Sequence, residues 1–168
     1  MKHLTLILLL FLCAFSSQVF SQSNFEVPAG YELKAKEDYA KYESAIVEAA
    51  KWLEETDLDK EKAKRQEVNR FLIQWISGSP DISVELHPAV THLYGKNDQL
   101  LGVYMAGAAR YMIENKGSTD RIKGIKAGIV SMINVYKKGI AVKKVKELDK
   151  LVKFSDTELD TYIAGKIK

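Results

Sequence analysis

An all-α fold is predicted by three features of the chain. Apolar side chains recur at three- and four-residue steps along most of it, the period of a helix with one buried face. Residues that stop or cap helices fall between these stretches. Strand-like alternation is confined to a short lead-in and to GSPDISVELHP, residues 78–88. The expectation is five or six helices with a short two-strand ribbon.

The elements follow in order. In the lead-in, residues 23–31, Phe25 and Val27 alternate with polar neighbours, and Pro28-Ala29-Gly30 makes a turn. A first helix begins near Lys36 and ends near Glu55, with Tyr39, Tyr42, Ile46, Ala49 and Leu53 in one stripe. Thr56 or Asp57 caps the second, and Asp59 and Glu61 sit at its positive end. That helix buries Val68, Phe71, Leu72, Trp75 and Ile76, and Gly78 with Pro80 stops it.

In GSPDISVELHP, Ile82, Val84 and Leu86 alternate with Ser83, Glu85 and His87. Three apolar positions are too few for an independent sheet, so the backbone needs a partner. Phe25-Glu26-Val27 is the expected one, with Ile82, Val84 and Leu86 facing inward and Glu85 and His87 outward. Pro88 then starts a helical turn toward His92.

Asn97 or Asp98 caps a third helix, residues 99–115, whose Gly102, Ala106 and Ala109 share a flank open to close packing. Gly117 ends it, and Ser118 or Thr119 caps the next, which carries Ile122, Ile125, Ile129, Met132, Ile133 and Tyr136 and stops at Gly139. Val145, Leu148 and Val152 mark a further helix, and Ser155 with Glu158 forms a capping box for the last. Ala49, Trp52 and Leu53 match Ala108, Tyr111 and Met112 at a separation of 59 residues. Val68, Phe71, Leu72 and Trp75 match Ile129, Met132, Ile133 and Tyr136 at 61. Two similar helical hairpins would produce this; so would any two hairpins of comparable length.

The N-terminus reads as a signal peptide. Lys2 precedes an apolar run over residues 4–15, and Val19-Phe20-Ser21 fits cleavage ahead of Gln22. Leu12 before Cys13 is too bulky for a lipid-attachment motif. Removing residues 1–21 of the 168 leaves 147, enough for a single helical domain over residues 22–168. Cys13 is the one cysteine, so the mature chain has no disulfide, no thiolate nucleophile and no cysteine metal ligand. No later stretch is long and apolar enough to cross a membrane. A periplasmic or secreted location follows.

Two stretches, AGYELKAKEDYAKYE and FLIQWISGSP, resemble those of uncharacterised small secreted all-α proteins of Gram-negative bacteria. The resemblance covers most of the mature chain. It implies helicity and export; the family has no established activity to carry over.

Charge is uneven. Residues 22–80 carry 9 basic and 12 acidic side chains, whereas residues 81–168 carry 15 and 10. Between Lys116 and Lys153 there are 11 basic residues and 3 acidic. Such a block suits an anionic partner, and equally the solvated face of amphipathic helices. Lys143, Lys144, Lys146 and Lys150 are its candidate partner surface, interleaved with Val142, Val145, Leu148 and Leu151. No nucleic-acid motif accompanies them.

Glu85, His87 and His92 form E-x-H-x4-H, residue types that zinc accepts. With Tyr94 they are the candidate binding residues of the connecting segment, and a metal-dependent hydrolase using the three is the alternative function. His87 as a helix cap before Pro88 is the structural account of the same residue. The chain has no G-x-S-x-G elbow and no phosphate-binding glycine loop, and no motif indicates a cofactor. The reading is an exported binding or interaction module of the cell envelope, its partner a protein or envelope component.

Overall fold

The computed structural model describes residues 24–116, 118 and 120–167, so the expected signal peptide, Gly117 and Thr119 lie outside the described residues. Among them are eight helices: α1 Lys36–Lys41, α2 Glu43–Glu55, α3 Lys62–Gly78, α4 Pro88–Tyr94, α5 Asp98–Glu114, α6 Arg121–Lys137, α7 Lys146–Leu151 and α8 Asp156–Lys166. The all-α class holds, with more helices than the five or six expected. The added helices have local causes. The first predicted helix breaks at Tyr42, which leaves helical geometry (φ −100°, ψ 5°) as its ring packs edge-on to Phe71 at 6.1 Å. The turn after Pro88 is long enough to be a helix, opened by His87, whose Nδ1 accepts the Ala89 N–H at 3.1 Å.

The expected start of the second helix also moves. Residues 57–60 close as a turn, with the Lys60 N–H donating to the Asp57 carbonyl at 3.0 Å. α3 begins only after Glu61, at a left-handed φ of 43°. The reason lies downstream. The buried Arg65 guanidinium donates to the carbonyls of Leu53 at 3.3 Å, Thr56 at 2.5 Å and Asp57 at 3.3 Å. A helix running on from Thr56 would have claimed those acceptors for its own ladder. From the far end of α6, Lys138 Nζ donates to the carbonyls of Glu54 and Glu55, each at 2.7 Å. α2 has no basic residue in its own last turn. Two cations from elsewhere therefore neutralise its negative end.

α5 is the central element. It packs along α6 and on its other side against α2. Gly102 meets the Asn69 side chain of α3, and Ala106 and Ala109 enter the same apolar cluster as Trp52, Phe71 and Trp75. Gly107 and Gly128 let α5 and α6 approach: a Cβ on Gly107 would lie 2.1 Å from Ser131 Oγ, and one on Gly128 2.5 Å from the Tyr104 ring. A second cluster, with Tyr104, Ile125, Met132, Leu148 and Ile163, fills the space between α4, α5, α6, α7 and α8. The two sets of residues matched in the sequence differ in setting. Val68, Phe71, Leu72 and Trp75 are buried like Ile129, Met132, Ile133 and Tyr136. α5 and α6 pack extensively, whereas α2 lies more against α5 than against α3.

The two-strand ribbon does not form; no strand occurs among the described residues. Phe25 and Ile82 do enter one apolar cluster, with Val27 and Val84 packed against it. Their backbones find other partners, however. The Ile82 N–H donates to Ser79 Oγ at 3.3 Å, and the Glu85 carbonyl accepts the Tyr104 hydroxyl at 2.5 Å. Leu86, expected to face inward, is 44 % exposed. At the start of α6 the cap is Asp120 and not Ser118: its carboxylate accepts the Lys123 N–H at 3.2 Å. Ser118 Oγ instead accepts the Asp120 N–H.

Candidate anion-binding cleft

The basic block folds into a cleft at the junction of α6 and α7. α6 ends at Lys137, and Gly139 supplies the left-handed turn after it (φ 69°). The chain then returns over residues 140–145 without helix. Two clasps hold this return. Asn97, buried ahead of α5, accepts the Lys143 N–H at 2.7 Å and donates from Nδ2 to the Lys143 carbonyl at 2.9 Å. The Tyr136 hydroxyl accepts the Val145 N–H at 3.0 Å and donates to Asp149 Oδ1 at 2.7 Å. Burial foremost, and the bond to Asp149, hold the Tyr136 phenol above its ordinary pKa; the Val145 N–H works in the opposite direction.

Between the return and α7 lies a cavity of about 550 Å³, lined by Tyr136, Lys137, Val142, Lys144, Asp149 and Lys153 among others. That volume falls in the range of small-ligand sites. Lys137, Lys144 and Lys153 are exposed, and none makes an ion pair or side-chain hydrogen bond among the described residues. They come from three different segments of the chain. Of the lysines singled out from the sequence, Lys144 lines the cleft, Lys150 is paired with Glu147 at 3.2 Å, and Lys143 and Lys146 lie beside it in the chain. Sequence reasoning missed Lys137 and Lys153. Both belonged to the basic block, but only the turn at Gly139 and the fold-back of α7 bring them to Lys144.

The other candidate residues are dispersed. Glu85 pairs through Oε2 with Arg121 Nε at 3.2 Å, at the edge of a cavity of about 220 Å³ between residues 83–85, α5 and α6. The Tyr104 hydroxyl that holds the Glu85 carbonyl has its pKa pushed up, first by burial and then by the Glu85 charge. His87 spends Nδ1 on capping α4. His92 is exposed on that helix, and Tyr94 is half-buried at its end, packed against the second core cluster. Among the described residues no three of His, Cys, Asp and Glu are grouped as metal ligands. Glu85 and His87 are thus occupied by an ion pair and a cap, and the set E-x-H-x4-H is not assembled.

Fold and cleft together define an all-helical protein with a basic ligand-sized surface cavity. The comparisons add no narrower class: no family model matches the chain, and no curated protein or solved structure is significantly similar to it.

Proposed function

We propose that the chain is an exported helical binding module of the cell envelope whose basic cleft meets an anionic surface. The observation that carries this reading is the convergence of three lysines without partners, Lys137, Lys144 and Lys153, on one cavity. Other cations are paired, as in Lys126 with Asp156 and Asp160 or Arg110 with Glu54; what sets these three apart is that they line one cavity. Two exposed apolar side chains adjoin the cleft in the chain: Ile140 next to Gly139, and Phe154 next to Lys153. Cationic and apolar groups side by side suit the headgroup boundary of an anionic membrane. The signal-like N-terminus and the resemblance to secreted Gram-negative proteins support the location. No helix among the described residues is long and apolar enough to cross a membrane, so attachment would be peripheral.

Vesicle co-sedimentation of the mature chain tests the reading. Phosphatidylglycerol vesicles should bind it and phosphatidylcholine vesicles should not, with binding falling as salt screens the charges. Replacing Lys137, Lys144 and Lys153 with Gln should weaken binding at least about tenfold, a loss of about 1.4 kcal/mol. Absence of binding at low salt, or binding indifferent to salt, would leave these lysines as an ordinary solvated face.

A further inference from the structure

We propose that the cleft between the end of α6 and α7 is a site for a phosphate group, borne by a lipid headgroup or by a small soluble ester; this rests on the anionic-partner reading above. The backbone of residues 142–145 carries the argument. Lys143 and Val145 spend their N–H groups inward, on Asn97 and on the Tyr136 hydroxyl. The N–H groups of Val142 and Lys144 donate to no group among the described residues. Val142 and Lys144 are also the two residues of this segment that line the cavity, while Lys143 and Val145 do not. Hydrogen bonding and cavity lining thus show the same alternation. The cleft adjoins two unused backbone donors and three unpaired ammonium groups.

That donor set fits phosphate better than carboxylate. A carboxylate presents two oxygens and one charge, whereas a phosphate monoester presents three unesterified oxygens and up to two charges. Lys137, Lys144 and Lys153 set against Asp149 leave the cleft at +2, equal and opposite to the dianion. Asp149 already accepts the Tyr136 hydroxyl on Oδ1, which turns part of its charge away from a ligand. The site is held in shape before any ligand arrives. Ala141, just ahead of the free donors, has a φ of 53°, which a residue with a Cβ rarely adopts. Such strain persists where surrounding contacts over-determine the backbone, as the Asn97 and Tyr136 clasps do here.

The test uses the mature chain in two arms. In solution, glycerol 3-phosphate is titrated at constant ionic strength while the amide resonances of Val142 and Lys144 are followed, with acetate as control. On membranes, vesicles containing phosphatidic acid are compared with vesicles given the same surface charge by a fatty acid. The expected result is a saturable shift with glycerol 3-phosphate and none with acetate. Lys144→Gln with Lys153→Gln should weaken that binding at least about tenfold, with helical circular dichroism unchanged because neither side chain has a partner to lose. Preference for phosphatidic acid in addition identifies the source as a lipid headgroup. Saturable soluble binding with no binding to either vesicle supports the phosphate site and overturns the membrane reading. Equal binding to both vesicles without a saturable shift overturns the phosphate site and leaves the anionic-surface reading standing. Binding in neither arm overturns both.

Discussion

Tyr162 shows how a single side chain ties stability to solution conditions. Its ring lies edge-on to Phe154 with centroids 6.1 Å apart. Burial, followed by the charge of Glu147, raises its pKa from 10.0 to about 12. Because the folded value is the higher one, the folded state holds this proton more tightly than the unfolded state. The resulting stabilisation is complete below the unfolded value and is lost as pH rises through the folded one. Thermal unfolding midpoints should therefore fall between pH 10 and about 12, and Tyr162→Phe should flatten that fall. An identical alkaline slope in the variant would show that the shift is absent. Trp75 illustrates a residue legible in advance: its place in the helical stripe predicted burial, and it is fully buried. That its Nε1 donates to the Tyr39 carbonyl at 2.9 Å was not legible, since the acceptor lies 36 residues away.

At the scale of elements, glycines decide how closely α5 and α6 pack. A Cβ on Gly128 would come within 2.5 Å of the Tyr104 ring and 2.7 Å of the Tyr104 backbone oxygen. The ring could shift; a helix backbone yields only if the helices separate. Gly128→Ala should destabilise the protein by about 1–3 kcal/mol, the usual cost of overpacking. Gly165 in α8 is the control, because a Cβ there meets nothing within 4 Å. Gly165→Ala should be neutral or stabilising by up to about 1 kcal/mol, through lower backbone entropy in the unfolded chain. Urea unfolding of both variants checks the contrast, and equal effects would contradict the close approach. The capping box of α8 shows what local chemistry can announce. Ser155 and Glu158 make it within three residues, with the Ser155 N–H donating to Glu158 at 2.7 Å. The end of α2 shows the reverse, because Arg65 and Lys138 reach its carbonyls from other elements. That arrangement displaced the predicted start of α3.

At the scale of the whole molecule, a few long-range contacts join segments that the sequence keeps apart. Lys138 reaches α2 from the end of α6, Arg110 of α5 pairs with Glu54 of α2 at 3.2 Å, and Lys126 of α6 holds α8 through Asp156 at 2.8 Å. Lys64 of α3 holds the lead-in through Glu26 at 2.7 Å. The proposed export belongs to this scale too. Intact-mass measurement on protein from its native host should find a chain beginning at or near Gln22. A mass that includes residues 1–21, or a lipid on Cys13, would defeat the assignment.

The sequence alone determined the helical class, most of the buried stripes, the capping box of α8 and the capping geometry before Pro88; of the stripe residues, Ile122 is 42 % exposed and Ile76 only half-buried. Each depends on neighbours within about a turn of helix, where spacing dictates which side chains share a face. The basic block was visible as composition, but its cleft was not. The tertiary structure decided that Lys137, Lys144 and Lys153 meet, because that requires the left-handed turn at Gly139 and the Asn97 clasp across 46 residues. It also decided that Ile82 and Phe25 enter one core without pairing as strands. Apolar burial is non-directional and satisfied by proximity, whereas strand pairing needs aligned backbone donors and acceptors. The Ile82 N–H and the Glu85 carbonyl were already engaged by the Ser79 and Tyr104 side chains.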